Sequence, residues 1–229
     1  MRALLLPIKD QRNAKQRLAG LLSPEERQSL ARAMMEDVLT AVRSVRRAEQ
    51  IFVVTNFAPA IRIAESAGWH VLLEEEQISE SASVDFASRC CAERGVSALL
   101  RLPMDLPLVQ PADIDELLAL DFSAPAAVMV PSSDGTGTNA LLRTPPALFP
   151  SQFGSGSFAK HRALAESAGA QILLRRNPRL EMDVDDPDDL RALLTHDLSA
   201  TATGRWLAAS GVAARVSSSA QSLAPAPTL

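Results

Sequence analysis

Short runs rich in β-branched and aliphatic residues alternate along this chain with longer stretches of helical periodicity, and that alternation limits the possible architectures. Residues 4–8, 51–55 (IFVVT), 69–73, 96–102, 126–131 and 171–174 read as strands, with a further short one at 180–185. Helices separate them. Ser23 is a good N-cap, Pro24 suits the first helical position, and Glu26 completes a capping box. Leu30, Met34, Val38 and Ala41 then recur near helical spacing, so one face is buried. Residues 59–67, about 77–94, 111–120 and the segment opening at FGSGSFAKH give further helices, and Asp186, Pro187 and Asp189 start the last confident one. Such a chain builds one mostly parallel sheet flanked by helices. Its 229 residues suffice for a single large α/β domain.

Several functional classes are disfavoured. The net charge of −4 offers no general attraction for nucleic acid or anionic membrane. No apolar run approaches the roughly 20 residues that span a bilayer. The only cysteines, Cys90 and Cys91, are adjacent and suggest neither a disulfide framework nor a zinc site. A reducing cytoplasm is the expected setting. Residues 1–198 are expected to form the domain. Residues 199–229, rich in Ala, Ser and Pro, are expected to be a largely disordered tail, with room for a short helix around Trp206.

The strongest chemistry lies in LPMDLPLV and EMDVDDPDDL. Asp105 sits just past the carboxyl end of a buried strand, the edge where open α/β sheets form ligand crevices. Asp183 and Asp185 are two apart, so an extended backbone aims both at one point and Val184 at the core. Together the three suit Mg²⁺, which prefers hard oxygen donors. Asp186, followed by Pro187, is better read as a helix cap.

Two small-residue loops, DGTGTN (134–139) and FGSGSF (153–158), offer hydroxyls and backbone amides, the second at a helix start that could bind an anion. Neither matches GxGxxG or a Walker loop. Lys9, Lys15 and Arg17 follow the first strand, where basic groups can neutralise a triphosphate and departing pyrophosphate. His161 has no triad context and is assigned no nucleophilic role.

PIKDQRNAKQRL, SPEERQSLARAMMEDVL, LPMDLPLV, DGTGTNALL, FGSGSFAKH and LEMDVDDPDDL occur in this order. The set resembles the CofC/FbiD family, the guanylyltransferases of coenzyme F-420 biosynthesis, over roughly residues 1–195; DGTGTNALL with FGSGSFAKH is its most specific part. The resemblance implies a Rossmann-like, GT-A-type nucleotidyltransferase. It implies transfer of GMP from GTP to the phosphate of 2-phospho-L-lactate, phosphoenolpyruvate or 3-phospho-D-glycerate. Asp105, Asp183 and Asp185 match the metal-binding acids. Thr138, Gly154 and Ser157 match the positions that hold the acceptor acid, and Lys9 and Lys15 fall in the loop for the triphosphate. Where the family carries a GLNAA-like motif this chain reads SESASV, which leaves Ser81 and Ser83 as the expected nucleotide contacts.

Two other readings stay open: a molybdopterin- or sugar-type nucleotidyltransferase, and a non-catalytic module that binds GTP or a phospho-acid. The apolar helices permit a homodimer.

Overall fold

The computed structural model describes residues 1–221. Strand β1 (Arg2–Pro7) points Leu4 and Leu6 to one face of a sheet and Ala3 and Leu5 to the other, and all four are buried. A strand buried on both sides needs helices on both faces. The chain continues through α1 (Pro24–Val42), β2 (Gln50–Thr55), α2 (Ala58–Ser66), β3 (His70–Leu73), α3 (Glu80–Glu93), β4 (Ala98–Arg101), α4 (Pro111–Ala119), β5 (Ala126–Pro131), β6 (Thr138–Thr144), α5 (Ser157–Ser167) and β7 (Gln171–Leu174). The helices α6 (Pro178–Glu181), α7 (Pro187–Leu193), α8 (Ala202–Ser210) and α9 (Val212–Gln221) follow. The capping box at the start of α1 is present: Ser23 Oγ accepts from the Glu26 amide and Glu26 accepts from the Ser23 amide.

The strands form one sheet in the order β3-β2-β1-β4-β6-β5-β7, and β6 alone runs antiparallel to its neighbours. On one face Val38, Ala64 and Ile114, from α1, α2 and α4, pack against Leu4, Leu6, Val53 and Leu100. On the other, Val84, Ala87 and Cys91 of α3 meet Leu5, Phe52 and Leu99, and Ala165 of α5 meets Met129 and Leu141. The chain runs outward from β1 through β2 and β3, then crosses to β4 on the opposite side of β1. The carboxyl ends of β1 and β4 therefore flank a switch point, where an open sheet leaves a crevice. The loop bearing Lys9 and Lys15 leaves β1 there, and Asp105 follows β4.

The strand expected at 180–185 is not formed. Asn177 caps the single turn of α6, its side chain accepting from the Arg179 and Leu180 amides, and Pro178 takes the first helical position. Residues 182–185 join no strand. The Asn139 side-chain amide instead donates to the Leu180 and Glu181 carbonyls. Val184 is fully buried, as expected, without a strand partner.

Residues 202–221 also depart from the disordered tail expected after residue 198. The Asp37 carboxylate of α1 accepts from the Ala202 and Thr203 amides and the Thr203 hydroxyl, fixing the start of α8. Leu207, Val212 and Val216 then complete a core with Leu30, Met34 and Leu190. A stretch poor in large apolar residues folds here because the rest of the chain supplies most of the buried members of this core, Leu18, Leu22, Leu108 and Val184 among them. Residues 222–229 of the expected tail lie outside the described residues.

The seating of α8 can be tested. A Cβ on Gly204 would overlap the Leu198 carbonyl. Gly204→Ala is expected to cost about 2–3 kcal/mol through overpacking, read as a lower urea midpoint. An unchanged midpoint would show that α8 does not dock this way.

Candidate active site

Two contiguous clefts open at the switch point and share Glu80, Arg101, Pro103, Asp105 and Asp185. The smaller, about 340 Å³, is bounded by the loop after β1, including Lys9, Gln11, Asn13 and Lys15. The larger, about 830 Å³, is bounded by the Gly/Thr and Gly/Ser loops and by Asp183.

Lys15 lines the smaller cleft, against two of the shared carboxylates. Its backbone takes φ 53° and ψ 44°, a left-handed conformation that costs a residue with a Cβ roughly 1–2 kcal/mol. That turn brings its Nζ to 2.7 Å from Asp105 Oδ2 and 2.8 Å from Asp185 Oδ1. Burial by itself would lower the Lys15 pKa, but the two carboxylates outweigh it and raise it, so the ammonium stays charged. Burial likewise works to raise Asp105, and the Lys15 ammonium, helped by Arg101, holds it below the usual carboxylate range. Among the described residues no cation is in direct contact with Asp183, although the charge of Arg101 reaches it. Burial, then the charge of Asp105, push it up to about 6, against a 3.0 Å hydrogen bond from the Asn139 amide. Among the described residues no three His, Cys, Asp or Glu side chains form a ready-made metal cage: Asp105 and Asp185 turn to Lys15, and Asp183 turns to Asn139. Asp186 accepts from the Asp188 and Asp189 amides as the cap of α7. Lys9 lines the smaller cleft, its pKa lowered by burial and by Arg101 against the opposing charge of Glu74.

Thr138, Gly154 and Ser157 all line the larger cleft. Gly154 has φ 107°, which only glycine adopts freely. Ser157 does not cap α5; Gly156 does, and the Ser157 and Phe158 amides are already bonded to the Gly154 and Thr136 carbonyls. The hydroxyls thus offer more to a ligand than the helix end does. Their direction follows from His161, which is fully buried one turn along α5. The Gln152 amide donates to His161 Nε2 at 2.9 Å, so the single proton of the neutral ring is on Nδ1 and is donated to Thr138 Oγ1 at 3.0 Å. Thr138 Oγ1 also accepts from Ser157 Oγ at 3.3 Å. Both its acceptor positions are filled, and its own proton is left for the cleft.

Burial first, then the charges of Arg143, Arg101 and Lys160, push His161 down to about 4. A histidine whose folded pKa is depressed binds fewer protons folded than unfolded between about pH 4 and 6.5. Its stabilising contribution is complete above the unfolded value and is lost as pH falls toward 4. His161→Gln is expected to flatten that part of the stability–pH curve; a slope unchanged from wild type would refute the buried neutral ring.

The two serines expected at the nucleotide line neither cleft. Ser83 is buried and donates to Glu74 Oε2 at 2.5 Å, and Ser81 Oγ accepts from the Phe153 amide at 2.9 Å, so both tie α3 to its surroundings. No local motif marks Glu80 or the bonding of Asn139 and His161. One signal was available for Arg101: a lone charge within the apolar run VSALLRL. His161 lies four residues after Ser157, on the same helix face.

The crevice at the strand-order switch, with a cleft behind the first loop and a hydroxyl-lined cleft, sits in a domain of the nucleotide-diphospho-sugar transferase fold. A protein of Desulfovibrio desulfuricans G20 described as a nucleotide-diphospho-sugar transferase superposes with TM-score 0.75 at 15% identity, covering 95% of this chain and 97% of that one. A cytidylyltransferase of Leptospira borgpetersenii gives 0.54 at 13% identity, covering 100% and 98%. These likenesses establish the fold alone. The model of the guanylyl transferase CofC-like family matches residues 1–223, and the chain belongs to that family. It is 38% identical over 190 residues to the phosphoenolpyruvate guanylyltransferase of Conexibacter woesei, covering 82% of this chain and 85% of that one. It is 30% identical over 192 residues to the 2-phospho-L-lactate guanylyltransferase of Methanothermobacter thermautotrophicus, covering 84% and 83%. It is 30% identical over 190 residues to the 3-phospho-D-glycerate guanylyltransferase of Colwellia psychrerythraea, covering 83% and 90%.

Proposed function

We propose that this protein moves GMP from GTP onto the phosphate of a three-carbon phospho-acid, with release of pyrophosphate, as a step toward coenzyme F-420. One observation carries the reading: Asp105 and Asp185 line both a cleft that carries Lys9 and Lys15 and a cleft that carries Asp183, Thr138, Gly154 and Ser157. The first suits a triphosphate and the second a small oxyanion. Phosphoenolpyruvate is the acceptor named for the 38% and 36% relatives, and it is the one we favour.

The donor set fits Mg²⁺. Asp105, Asp183 and Asp185 supply hard oxygens, a cation already bridges two of them in the form of the Lys15 ammonium, and Asp183 is left short of countercharge. When bound there, the ion would supply positive charge against the triphosphate. Lys15, relieved of its carboxylates, and Lys9 would bind and orient the phosphates. Thr138 would donate its free hydroxyl proton to an oxygen of the acceptor, held over the open backbone at Gly154. An oxygen of the acceptor's phosphate forms the new bond to the α-phosphorus, and the α–β bridging bond breaks with its electrons leaving on pyrophosphate. That oxygen is already anionic, so no general base is needed. Positioning and screening of the two anions are the protein's task. The free thiols Cys90 and Cys91 support a reducing, cytoplasmic setting.

Pyrophosphate release, followed with GTP, Mg²⁺ and each acid in turn, tests this. Release that requires both GTP and an acid is expected. Release with CTP or UTP and a sugar phosphate would favour a sugar-type enzyme, and GTP binding without release would favour a non-catalytic module.

A further inference from the structure

The larger cleft has an electrostatic problem. Its wall carries Asp105, Asp134, Asp183, Asp185 and Glu80, yet the proposed acceptor brings a carboxylate and a phosphate. Among the described residues two guanidinium groups line this cleft. Arg17 is at the rim, its side chain 67% exposed, and pairs with Asp186 at 2.7 Å. Arg101 is set into the wall with its side chain 6% exposed.

Arg101 is only partly satisfied. Its Nη1 donates to the Thr138 and Asn139 carbonyls at 3.3 and 3.0 Å, and its Nη2 pairs with Glu80, but its buried Nε has no partner. Nε and Nη2 form one edge of the guanidinium, the fork that takes both oxygens of a carboxylate. Here that edge holds a single oxygen of Glu80. The Phe153 ring, centred 4.2 Å from the guanidinium carbon, covers one flat face, and Glu80 occupies the edge. Glu80 opens the first turn of α3 with a side chain 34% exposed, so it can turn toward water.

We propose that Arg101 receives the carboxylate of the acceptor acid through Nε and Nη2, and that Glu80 holds this edge until the acceptor displaces it. The carboxylate, not the phosphate, belongs here. The phosphate must reach the α-phosphorus, and the group that already contacts this edge is a carboxylate. The inference deepens the proposed function by naming the residue that selects an acid. Because Nη1 of the same guanidinium holds the carbonyl of Thr138, the acid's carboxylate and the free Thr138 hydroxyl are set in register.

The test varies phosphoenolpyruvate, and separately ethyl phosphate as a carboxylate-free phosphomonoester, at saturating GTP and Mg²⁺. Arg101→Gln is expected to raise the KM for phosphoenolpyruvate at least about tenfold more than that for ethyl phosphate, the scale of a lost charge-assisted pair. Glu80→Gln is expected to lower the KM for phosphoenolpyruvate about threefold or more, and by a larger factor than it changes the KM for GTP or for ethyl phosphate. Equal effects on both acceptors would indicate general charge or a structural bridge and overturn the proposal, as would an unchanged or higher phosphoenolpyruvate KM in Glu80→Gln. Should Arg101→Gln fail to fold, the Glu80→Gln arm decides. If the wild type releases no pyrophosphate with any acid, the guanylyltransferase reading fails instead. Calorimetric binding of phosphoenolpyruvate, tighter to Glu80→Gln than to wild type, then still reads the Arg101 edge; equal or weaker binding overturns it.

Discussion

Asp105→Asn is expected to reduce acid-dependent pyrophosphate release by about 10³-fold, at the upper end of what a lost electrostatic contact at a reacting centre costs. The substitution keeps the shape of the side chain and removes its charge at the junction of the two clefts. The fold is expected to survive, because the Lys15 ammonium keeps its 2.8 Å contact with Asp185. Breaking a buried pair completely is far more damaging than thinning it to one partner. A near-ultraviolet circular dichroism spectrum and melting curve read the fold beside the rate. Retained turnover in the folded variant would remove Asp105 from the reacting centre.

Asp183→Asn is expected to inactivate the enzyme and, in metal-free buffer at pH 7, to stabilise it. Asp183 is pushed up to about 6, first by burial and then by the negative charge of Asp105. Its folded pKa lies above the unfolded one, so the folded state binds more protons across that window, and stability falls as pH rises from about 4 to 6. The cost is fully present at pH 7. Removing the charge relieves it, by at most about 2–3 kcal/mol at 1.36 kcal/mol per pKa unit. An asparagine oxygen still accepts from Asn139, so the 3.0 Å bond persists. Mg²⁺ should raise the melting temperature of the wild type and should raise that of the variant much less. A variant less stable than wild type in chelator would mean that Asp183 is held by stabilising contacts and carries no unbalanced charge. Stability given up at a functional site is a familiar trade.

Much of the fold is legible because short-range rules and burial agree. The Ser23–Glu26 box marks the start of α1, and the apolar runs ending at Pro7 and Arg101 become strands buried on both faces. Asp105 is legible for the same reason, since a residue just past a buried parallel strand has one edge on which to appear. The segment at 180–185 misleads because its alternation is real while its backbone partner is a side chain, Asn139. The docking of the two C-terminal helices is hidden because Leu207, Val212 and Val216 are too few to signal a core, and their partners Leu30 and Met34 lie far back in the chain.

The site divides in the same way. Thr138, Gly154 and Ser157, grouped only by the family resemblance, line one cleft. Lys15 is found on the carboxylates, a long-range pairing that no local pattern encodes. Ser81 and Ser83 face packing contacts because α3 starts at Glu80 and turns Ser83 inward, toward Glu74.

Guanylyl transfer itself is tested by one reaction: purified protein with GTP, Mg²⁺ and an equimolar mixture of phosphoenolpyruvate, 2-phospho-L-lactate and 3-phospho-D-glycerate, read by mass spectrometry. The expected product has the mass of GMP joined to one of the acids, with phosphoenolpyruvate preferred, and with pyrophosphate formed in equal amount. GTP left intact, or hydrolysed to GMP with no acid attached, would exclude the transfer.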